Sequence, residues 1–193
     1  YNMFNLPRNQ IIYVSCSGGA DSSLLLYELT KYHKDVDIRP IHFYKDDVPV
    51  YVRQEKMNKI FDLISKLNSY KFKDIYFRKT DSSNHLNITM SDFQKFHEKH
   101  KGFSMIGVTK NPKVDFGDDN ADNERQGTKY QNLDENETPY FKFTKRDLAQ
   151  KYYNHNLHNN LFPLTFSCIV NTEKHCGKCW WCKERLWAFG RII

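Results

Sequence analysis

Apolar residues in the first part of the chain, up to about residue 109, follow two alternating periods. Short β-branched and aromatic runs typical of buried strands lie at 10–15, 36–44, 74–78 and 103–109. Between these runs, apolar side chains recur at helical spacing and predict helices at 22–33, 50–67 and 91–100. Strands that alternate with helices form a parallel sheet through right-handed crossovers. The predicted fold class is therefore α/β, a doubly wound parallel sheet whose ligand site lies beyond the carboxyl ends of the strands.

A polar segment, Lys110 to Thr138, ends this alternation. It is rich in Asn, Asp and Glu and almost free of aliphatic residues, which is typical of a lid, a binding loop or a disordered insert. We expect either a mobile lid at the mouth of the site or a passive insert, and a solvated charge run rather than a metal site. After this segment, Thr144 with Asp147 three residues on has capping-box spacing and predicts a helix to about Asn156.

The composition limits the class of protein. The 193 residues are enough for one domain with a sizeable core and a small appendage. The apolar runs are short and no secretory signal is visible, so no membrane segment is expected. The net charge of +6 is spread along the chain and suits ATP, or more weakly nucleic acid, as an anionic partner. Most of the five cysteines lie close together, which argues against a disulfide framework and predicts a reducing, cytoplasmic setting.

The stretch Ser15–Ser23 joins the first strand to the first helix through a turn with two glycines. Glycines let the backbone approach an anion closely, and the start of a helix offers unpaired N–H groups with a partial positive charge. Serine hydroxyls add donors at the same point. The stretch lacks the lysine of a Walker loop and the third glycine of a dinucleotide loop. The residues predicted to bind a nucleotide are Ser17, Gly18, Gly19, Ala20, Asp21, Ser22 and Ser23.

This stretch, Ser17 to Ser22, resembles the SGGxDS signature of the PP-loop, or N-type, ATP pyrophosphatases. The resemblance implies a Rossmann-like domain that splits ATP between its α- and β-phosphates, normally with Mg²⁺ bridging the phosphates. It also implies that Asp21 is a catalytic residue, which orients the loop or the metal. Thr144-Lys145 resembles a later segment of these enzymes in which the lysine lies near the phosphates. Lys145 is therefore the second catalytic candidate, and an ordinary exposed lysine is the alternative.

A cluster of cysteines near the end of the sequence has the spacing C-x7-C-x2-C-x2-C. Thiolates two residues apart let the backbone bend around one ion, and four sulfurs suit a structural zinc without an open coordination position. An iron–sulfur cluster is the alternative, since similar spacings occur in ferredoxins. His175 is expected outside the ligand shell, and Cys16 is expected to pack within the loop. The predicted metal ligands are Cys168, Cys176, Cys179 and Cys182.

The two signals together resemble the 7-cyano-7-deazaguanine synthase family. Matching positions, besides the loop, are Ser167-Cys168, Cys176-Gly177-Lys178-Cys179, Cys182 and Arg185. The resemblance implies a PP-loop domain at 1–166 and a structural zinc segment at 167–193. It also implies a ligase that adenylates a carboxylate with ATP, releasing pyrophosphate and AMP, and then uses ammonia to form an amide and a nitrile. In that family the product is a 7-deazaguanine used in nucleic-acid modification, as in queuosine biosynthesis.

Other functions stay open from the sequence. A phosphoadenylyl-sulfate reductase-like protein shares the loop and the fold, and a nucleic-acid thiolation enzyme would need one of the four cysteines to be free. A zinc-knuckle module with an inactive loop would bind single strands by stacking bases on Trp180 and Trp181. The expected partners are ATP and an acceptor, which is a small molecule or a nucleobase. Nucleic acid is a further candidate partner, and a homodimer and a viral source are left open.

Overall fold

The computed structural model describes residues 4–7, 9–45, 49–80, 88–117, 135–171 and 173–192, with the backbone alone for 88–91. The strands in these ranges are β1 (Ile12–Ser15), β2 (Ile38–Tyr44), β3 (Tyr76–Lys79) and β4 (Phe103–Ile106). The helices are α1 (Ala20–Tyr32), α2 (Val50–Asn68), α3 (Ile88–His97), α4 (Lys145–Asn154), α5 (Leu161–Leu164) and α6 (Trp180–Phe189). The predicted α/β class is confirmed.

All four strands belong to one parallel sheet with the order β3-β2-β1-β4. β1 is internal, and its residue Val14 lies beside Pro40 of β2 and Met105 of β4. The chain moves outward from β1 to β3 and then returns to the other side of β1, so the strand order reverses between β1 and β4. In open parallel sheets, ligands bind in the crevice outside the carboxyl ends of the strands at such a reversal.

Alternate side chains of β1 enter two hydrophobic clusters, one on each face of the sheet. Ile12 and Val14 pack in the larger cluster with apolar residues of α1 and α2. Tyr13 belongs to the other cluster, where its ring centroid lies 4.9 Å from that of Phe96 on α3, in edge-to-face geometry. Successive residues of a strand point to opposite faces, so even a four-residue strand serves both clusters. Helices therefore cover both faces of the sheet.

Several boundaries differ from those expected from the sequence. α1 begins at Ala20 rather than at 22, because Gly19 has the extended backbone of an N-cap residue and alanine is a strong helix former. β3 begins at Tyr76 rather than at 74, since its pairing with β2 starts opposite Ile41. β4 ends at Ile106, three residues earlier than expected. α2 agrees with the prediction within one residue.

The predicted capping box at the start of α4 is confirmed. The side chain of Thr144 accepts from the amide of Asp147, and the carboxylate of Asp147 accepts from the Thr144 amide at 2.6 Å. Hydrogen bonds of this kind satisfy amides that the first helical turn leaves unpaired. The box fixes the first turn of α4, which contains Lys145.

The polar segment 110–138 is described only at its two ends, because residues 118–134 lie outside the described residues. The amide of Ile106 donates to the Glu137 carbonyl at 2.8 Å, and the amide of Lys110 donates to the Phe143 carbonyl at 2.9 Å. The segment therefore leaves the sheet at the end of β4 and returns beside it. Its role as a lid or an insert stays a prediction, as does the division of the chain at residue 166. Within the described residues, no helix is both long enough and apolar enough to cross a membrane.

A fully buried carboxylate, that of Glu28, joins α1 to α4 and its neighbours. It accepts hydrogen bonds from Tyr140 Oη at 2.5 Å and from Lys151 Nζ and His155 Nε2 at 3.0 Å each. Burial raises the pKa of this carboxyl, but the hydrogen bonds from His155, Tyr140 and Lys151 outweigh burial and hold the pKa below its ordinary value. Glu28 is therefore ionised in the folded protein at neutral pH.

Replacing Glu28 by glutamine is expected to lower the free energy of unfolding at pH 7 by about 3 kcal/mol, because the partly buried ammonium of Lys151 loses the negative charge of the fully buried Glu28. The folded-state pKa of Glu28 is lowered, so its contribution is present above the unfolded-state pKa of about 4.3 and is lost as the pH falls further. Urea unfolding at pH 7 and pH 3 should therefore show a difference that shrinks at pH 3. The control is Glu55→Gln, which removes an exposed carboxylate paired with Lys59 and should leave the unfolding midpoint unchanged. Equal effects of the two variants would contradict a stabilising role for Glu28.

Candidate functional site

The turn after β1 contains the residues that the sequence predicts to bind phosphate. Gly18 has a φ of +84°, a left-handed conformation that favours glycine, and Gly19 is the N-cap of α1. Glycine has no side chain with which to cap the amides of Ala20, Asp21 and Ser22 in the first turn of the helix. The positive end of the helix dipole lies at the same point. The turn can therefore hold an anionic group.

Two serine hydroxyls hold the shape of this turn. Ser22 Oγ lies 3.2 Å from Ser17 Oγ, accepts from the Ser17 amide at 3.2 Å and donates to the Gly19 carbonyl at 3.3 Å. The Gly19 amide in turn donates to Ser17 Oγ at 3.2 Å. Ser22 and Ser23 are buried, whereas Ser17 is exposed. Ser22 thus stabilises the loop from inside, and Ser17 presents its hydroxyl at the surface.

The end of β4 approaches the start of α1 at Gly107. A Cβ atom at this position would lie 2.8 Å from the carbonyl carbon and oxygen of Asp21 and 2.9 Å from the amide nitrogen of Ser22. These distances are shorter than van der Waals contact, and the atoms belong to the backbone, so a side chain would force the two elements apart. The absence of a side chain at 107 therefore allows the close approach of the end of β4 to the start of α1.

Asp21 and Lys145 are 124 residues apart in the sequence and form an ion pair in the structure. Lys145 Nζ lies 2.5 Å from each carboxylate oxygen of Asp21, and the two side chains are 9% and 13% exposed, respectively. Thr109 Oγ1 also donates to Asp21 Oδ2, at 3.4 Å. Lys145 is therefore buried beside the glycine turn, and the alternative of an ordinary exposed lysine is wrong.

A second carboxylate, that of Glu184 on α6, lies near the same ammonium. Its Oε2 atom is 3.8 Å from Lys145 Nζ, and its side chain is 1% exposed. Mg²⁺ is commonly bound by one or two carboxylates together with substrate phosphates. Asp21, at the start of a helix that can hold the phosphates, fits that role in a Mg²⁺–nucleotide complex.

The segment that precedes the cysteine cluster is hydrogen-bonded to the glycine turn after β1. The amide of Phe166 donates to the Gly18 carbonyl at 2.8 Å. The ring of Phe166 packs against that of His175, with 4.6 Å between centroids, and Lys56 Nζ lies 5.2 Å from the Phe166 centroid. The left-handed Gly18 is thus held by Phe166, which lies two positions before Cys168, the first cysteine of the cluster.

The predicted metal ligands come together in the structure. Their sulfur atoms all lie within 4.8 Å of one another, and the sulfurs of Cys176 and Cys182 are 3.9 Å apart. Zinc bound by four thiolates at about 2.3 Å places the sulfurs about 3.8 Å apart, so only a small contraction is needed to surround an ion. The cluster can therefore bind a metal such as zinc. It consists of Cys168, Cys176, Cys179 and Cys182.

The backbone around the cluster favours the thiolate form of Cys176. The amides of Lys178 and Cys179 point at Cys176 Sγ, at 3.4 and 3.3 Å. These amides lower the pKa of Cys176 to about 6, whereas burial raises the pKa of Cys179 and raises that of Cys182 to about 12. Thiolates are the form of cysteine that binds metal ions.

Two other candidate ligands lie outside the cluster. His175 Nε2 accepts a hydrogen bond from the Ser167 amide at 3.3 Å, and burial, followed by the charge of Arg185, lowers the pKa of His175 to about 4. Cys16 is buried in the core, and its amide donates to the Ile41 carbonyl at 2.8 Å. Burial raises the pKa of the Cys16 thiol far above its ordinary value, so this sulfur is an uncharged packing group.

Arg185 attaches α6 to the segment 162–166, whose last residue is hydrogen-bonded to Gly18 of the glycine turn. Its guanidinium is buried, donates to Thr165 Oγ1 at 2.8 Å and to the Phe162 carbonyl at 3.0 Å, and lies 3.8 Å from the centroid of the Phe162 ring. Burial lowers the pKa of Arg185 to about 10, which leaves the group cationic at neutral pH. α6 therefore supports the loop through Arg185 and the residues up to Phe166.

The side chain of Trp180 is buried, and its ring contacts that of Phe116 edge to face, with 5.4 Å between centroids. A nucleic-acid base cannot stack on the Trp180 ring, because only 1% of the residue is exposed. Trp181 is partly exposed. Of the two tryptophans in the nucleic-acid-binding hypothesis, only Trp181 is exposed enough to contact a base.

Sequence reasoning missed Gly107, Thr109 and Glu184 as members of the site. Gly107 and Thr109 lie at the carboxyl end of a predicted strand. Their position could have indicated a role in the site, because ligands bind beyond the carboxyl ends of parallel strands. Glu184 lies two residues after a predicted metal ligand and had no signal of its own. A scan against protein-family models finds no match to this chain, and a search of curated proteins finds no significant relative.

Proposed function

We propose that this protein is an ATP pyrophosphatase-type ligase. ATP binds at the Ser17–Ser23 loop, is cleaved between its α- and β-phosphates, and adenylates a carboxylate of an acceptor. The observation that carries this proposal is the buried ion pair between Asp21 and Lys145 beside a glycine turn at the start of a helix. An anion site, a carboxylate for Mg²⁺ and a cation for phosphate are the parts that nucleotidyl transfer needs.

The proposed reaction has two steps. A carboxylate oxygen of the acceptor attacks the α-phosphorus of ATP, and the bond from that phosphorus to the bridging oxygen breaks, which releases pyrophosphate. Ammonia then attacks the acyl carbon, AMP leaves with the carboxylate oxygen, and an amide forms. The loop amides and Lys145 would stabilise the charge of the departing pyrophosphate, and Asp21 would hold Mg²⁺, which supplies positive charge at the phosphates.

The proposed acceptor is the carboxylate of a 7-deazaguanine, which these two steps convert to an amide. A nitrile then forms when a second ATP adenylates the amide oxygen and AMP leaves with that oxygen. The spacing of the four cysteines and the position of Arg185 in relation to them support this choice, through the resemblance to the 7-cyano-7-deazaguanine synthase family. In this proposal the cysteine cluster holds a structural zinc. Four thiolates leave no open coordination position for water, so the metal stabilises α6 and the loop rather than taking part in the reaction.

The test is the nucleotide product in the presence of different acceptors. With ATP labelled at the α-phosphate, the expected products are AMP and pyrophosphate in the presence of 7-carboxy-7-deazaguanine. Parallel reactions contain tRNA, DNA with deazaguanine, or no acceptor. Lys145→Ala should lower AMP formation at least about a hundredfold, as expected for loss of an electrostatic contact to the leaving group. The control variant Lys142→Ala removes an exposed lysine before α4 and should leave the rate unchanged.

Release of ADP and phosphate would contradict cleavage between the α- and β-phosphates. AMP formation only with tRNA and a sulfur donor would favour the nucleic-acid thiolation alternative. Conversion of a sulfonucleotide to sulfite would favour the reductase-like alternative. Binding of single-stranded nucleic acid without any AMP formation would favour the binding module.

A further inference from the structure

Lys145 lies between two carboxylates that water barely reaches. Its Nζ atom is 2.5 Å from both oxygens of Asp21 and 3.8 Å from Glu184 Oε2. One ammonium thus faces two carboxylates. Buried charges are stable only when counter-charges and hydrogen bonds compensate for lost hydration, so the position of the Lys145 ammonium affects both carboxylates.

In this arrangement the Lys145 ammonium engages both oxygens of Asp21. The proposed function requires Asp21 to hold Mg²⁺, and the positive charge of Lys145 at 2.5 Å opposes a second cation on the same oxygens. Lys145 must therefore shift when Mg²⁺–ATP binds. Glu184 is the carboxylate placed to receive it, because a displacement of about 1 Å turns a 3.8 Å separation into a charge-assisted hydrogen bond.

Glu184 is well anchored for this task. It lies on α6 between Cys182, a member of the cysteine cluster, and Arg185, whose guanidinium is hydrogen-bonded to the carbonyl of Phe162. Neighbours on both sides are thus attached to other parts of the chain, so the helix holds the carboxylate in place while the flexible lysine side chain moves. The side chain of Glu184 is 1% exposed, so water barely reaches its carboxylate.

We propose that Glu184 is a positioning residue that takes the Lys145 ammonium from Asp21 when Mg²⁺–ATP binds. This inference rests on the proposed function and adds to it a group that the sequence did not indicate. In the resting state Lys145 neutralises Asp21. In the nucleotide complex Mg²⁺ neutralises Asp21, and Glu184 holds Lys145 beside the leaving pyrophosphate. Glu184 acts through Lys145 and does not touch the substrate.

The experiment compares wild type with Glu184→Gln, which keeps the shape of the side chain and removes its charge. Binding of an ATP analogue with a methylene between the α- and β-phosphates is measured as a function of Mg²⁺ concentration. In the variant Lys145 stays on Asp21, so half-saturation should need about tenfold more Mg²⁺, within the usual range of coupling between two sites. The kcat for AMP formation should fall about 10- to 100-fold, the effect of misplacing a group by about 1 Å, with KM for ATP changed less than about threefold.

Two further variants control this comparison. Glu173→Gln makes the same charge change at an exposed position of the cysteine segment and should behave like wild type. Glu184→Asp keeps the charge and should restore part of the lost kcat. Both Glu184 variants should retain about one metal ion per chain, measured by elemental analysis. A purely structural role of Glu184 would lower the melting temperature and leave the Mg²⁺ dependence and kcat of the folded protein unchanged.

The outcomes separate this inference from the function on which it rests. If wild type does not bind the Mg²⁺–analogue complex, the proposed function fails and the role of Glu184 fails with it. If wild type binds and Glu184→Gln shows the same Mg²⁺ dependence and kcat, only the role of Glu184 is overturned. If the variants do not fold, a structure of wild type with Mg²⁺ and the analogue decides. Lys145 Nζ within about 3 Å of Glu184 supports the proposal, and Lys145 on both oxygens of Asp21 overturns it.

Discussion

Cys182→Ser is expected to abolish metal binding at the cysteine cluster and to remove most of the stability that a bound metal would supply. The Cys182 side chain is fully buried, and its sulfur is one of four that lie within 4.8 Å of one another. Structural zinc in small cysteine sites contributes about 10–16 kcal/mol of apparent binding free energy, which exceeds or equals the whole stability of many domains. Loss of one thiolate ligand should therefore lower the melting temperature by more than about 10 °C, in line with a loss of several kcal/mol.

Elemental analysis and thermal unfolding check this expectation. A chelator added to wild type should lower the melting temperature to a similar extent. The matched control is Cys16→Ser, another buried cysteine outside the cluster, which should retain about one metal ion per chain. A Cys182→Ser protein with a full equivalent of metal and the wild-type melting temperature would show that the four sulfurs do not form a metal site.

Loss of the metal should also weaken nucleotide binding. The amide of Phe166 holds the Gly18 carbonyl, and Phe166 lies two residues before Cys168 of the cluster. When the cluster opens, this hydrogen bond loses its anchor and the glycine turn gains freedom that a nucleotide must remove on binding. The affinity of chelator-treated protein for the ATP analogue should therefore fall at temperatures at which circular dichroism shows that the sheet is still folded.

Asp21→Asn is expected to lower kcat for AMP formation by at least about a hundredfold. Under the proposed function the Asp21 carboxylate holds Mg²⁺, and a neutral amide would hold the ion more weakly. Asparagine has the shape of aspartate, and its oxygen can still accept a hydrogen bond from Lys145, which retains Glu184 as a counter-charge 3.8 Å away. The fold should therefore survive. The measurement is steady-state AMP release, together with the melting temperature of each protein.

The control for this variant is Asp35→Asn, which removes an exposed carboxylate just beyond the end of α1. It changes the net charge equally and should leave kcat unchanged. If Asp21→Asn were as active as wild type, Asp21 would be only a structural partner of Lys145, and the proposed role in holding Mg²⁺ would be wrong.

The parts of the molecule that depend on local sequence were predictable. The strands and the first two long helices follow from apolar runs and periodicity, and the cysteine cluster follows from spacing, because ligands two residues apart must meet at one point. The start of α1 was missed by two residues, since the extended Gly19 and not a side-chain cap begins the helix. The capping box at Thr144 was also predictable from local sequence, because its two residues lie three positions apart.

The parts that depend on distant residues were not predictable from a single sequence. The pairing of Asp21 with Lys145 spans 124 residues, and only the resemblance to PP-loop enzymes pointed to the lysine. Gly107 is essential to the approach of β4 and α1, yet a glycine after a strand has many ordinary explanations. Glu184 and Glu28 are charged residues in helical segments, and such residues are usually exposed. Their burial is decided by the packing of α6 and α4 against the rest of the chain.

One turn of α6 directs three neighbouring side chains to three different places. Cys182 belongs to the cysteine cluster, Glu184 approaches Lys145, and Arg185 enters the core beside Phe162. An α-helix turns by about 100° per residue. One residue inserted or deleted in this turn would therefore rotate every later side chain of α6 by about 100° relative to the earlier ones. This turn therefore tolerates substitution at its outward positions but not a change in length. Ile169 and Val170, which follow Cys168, are exposed, so the C-terminal segment has room to vary in length at this point.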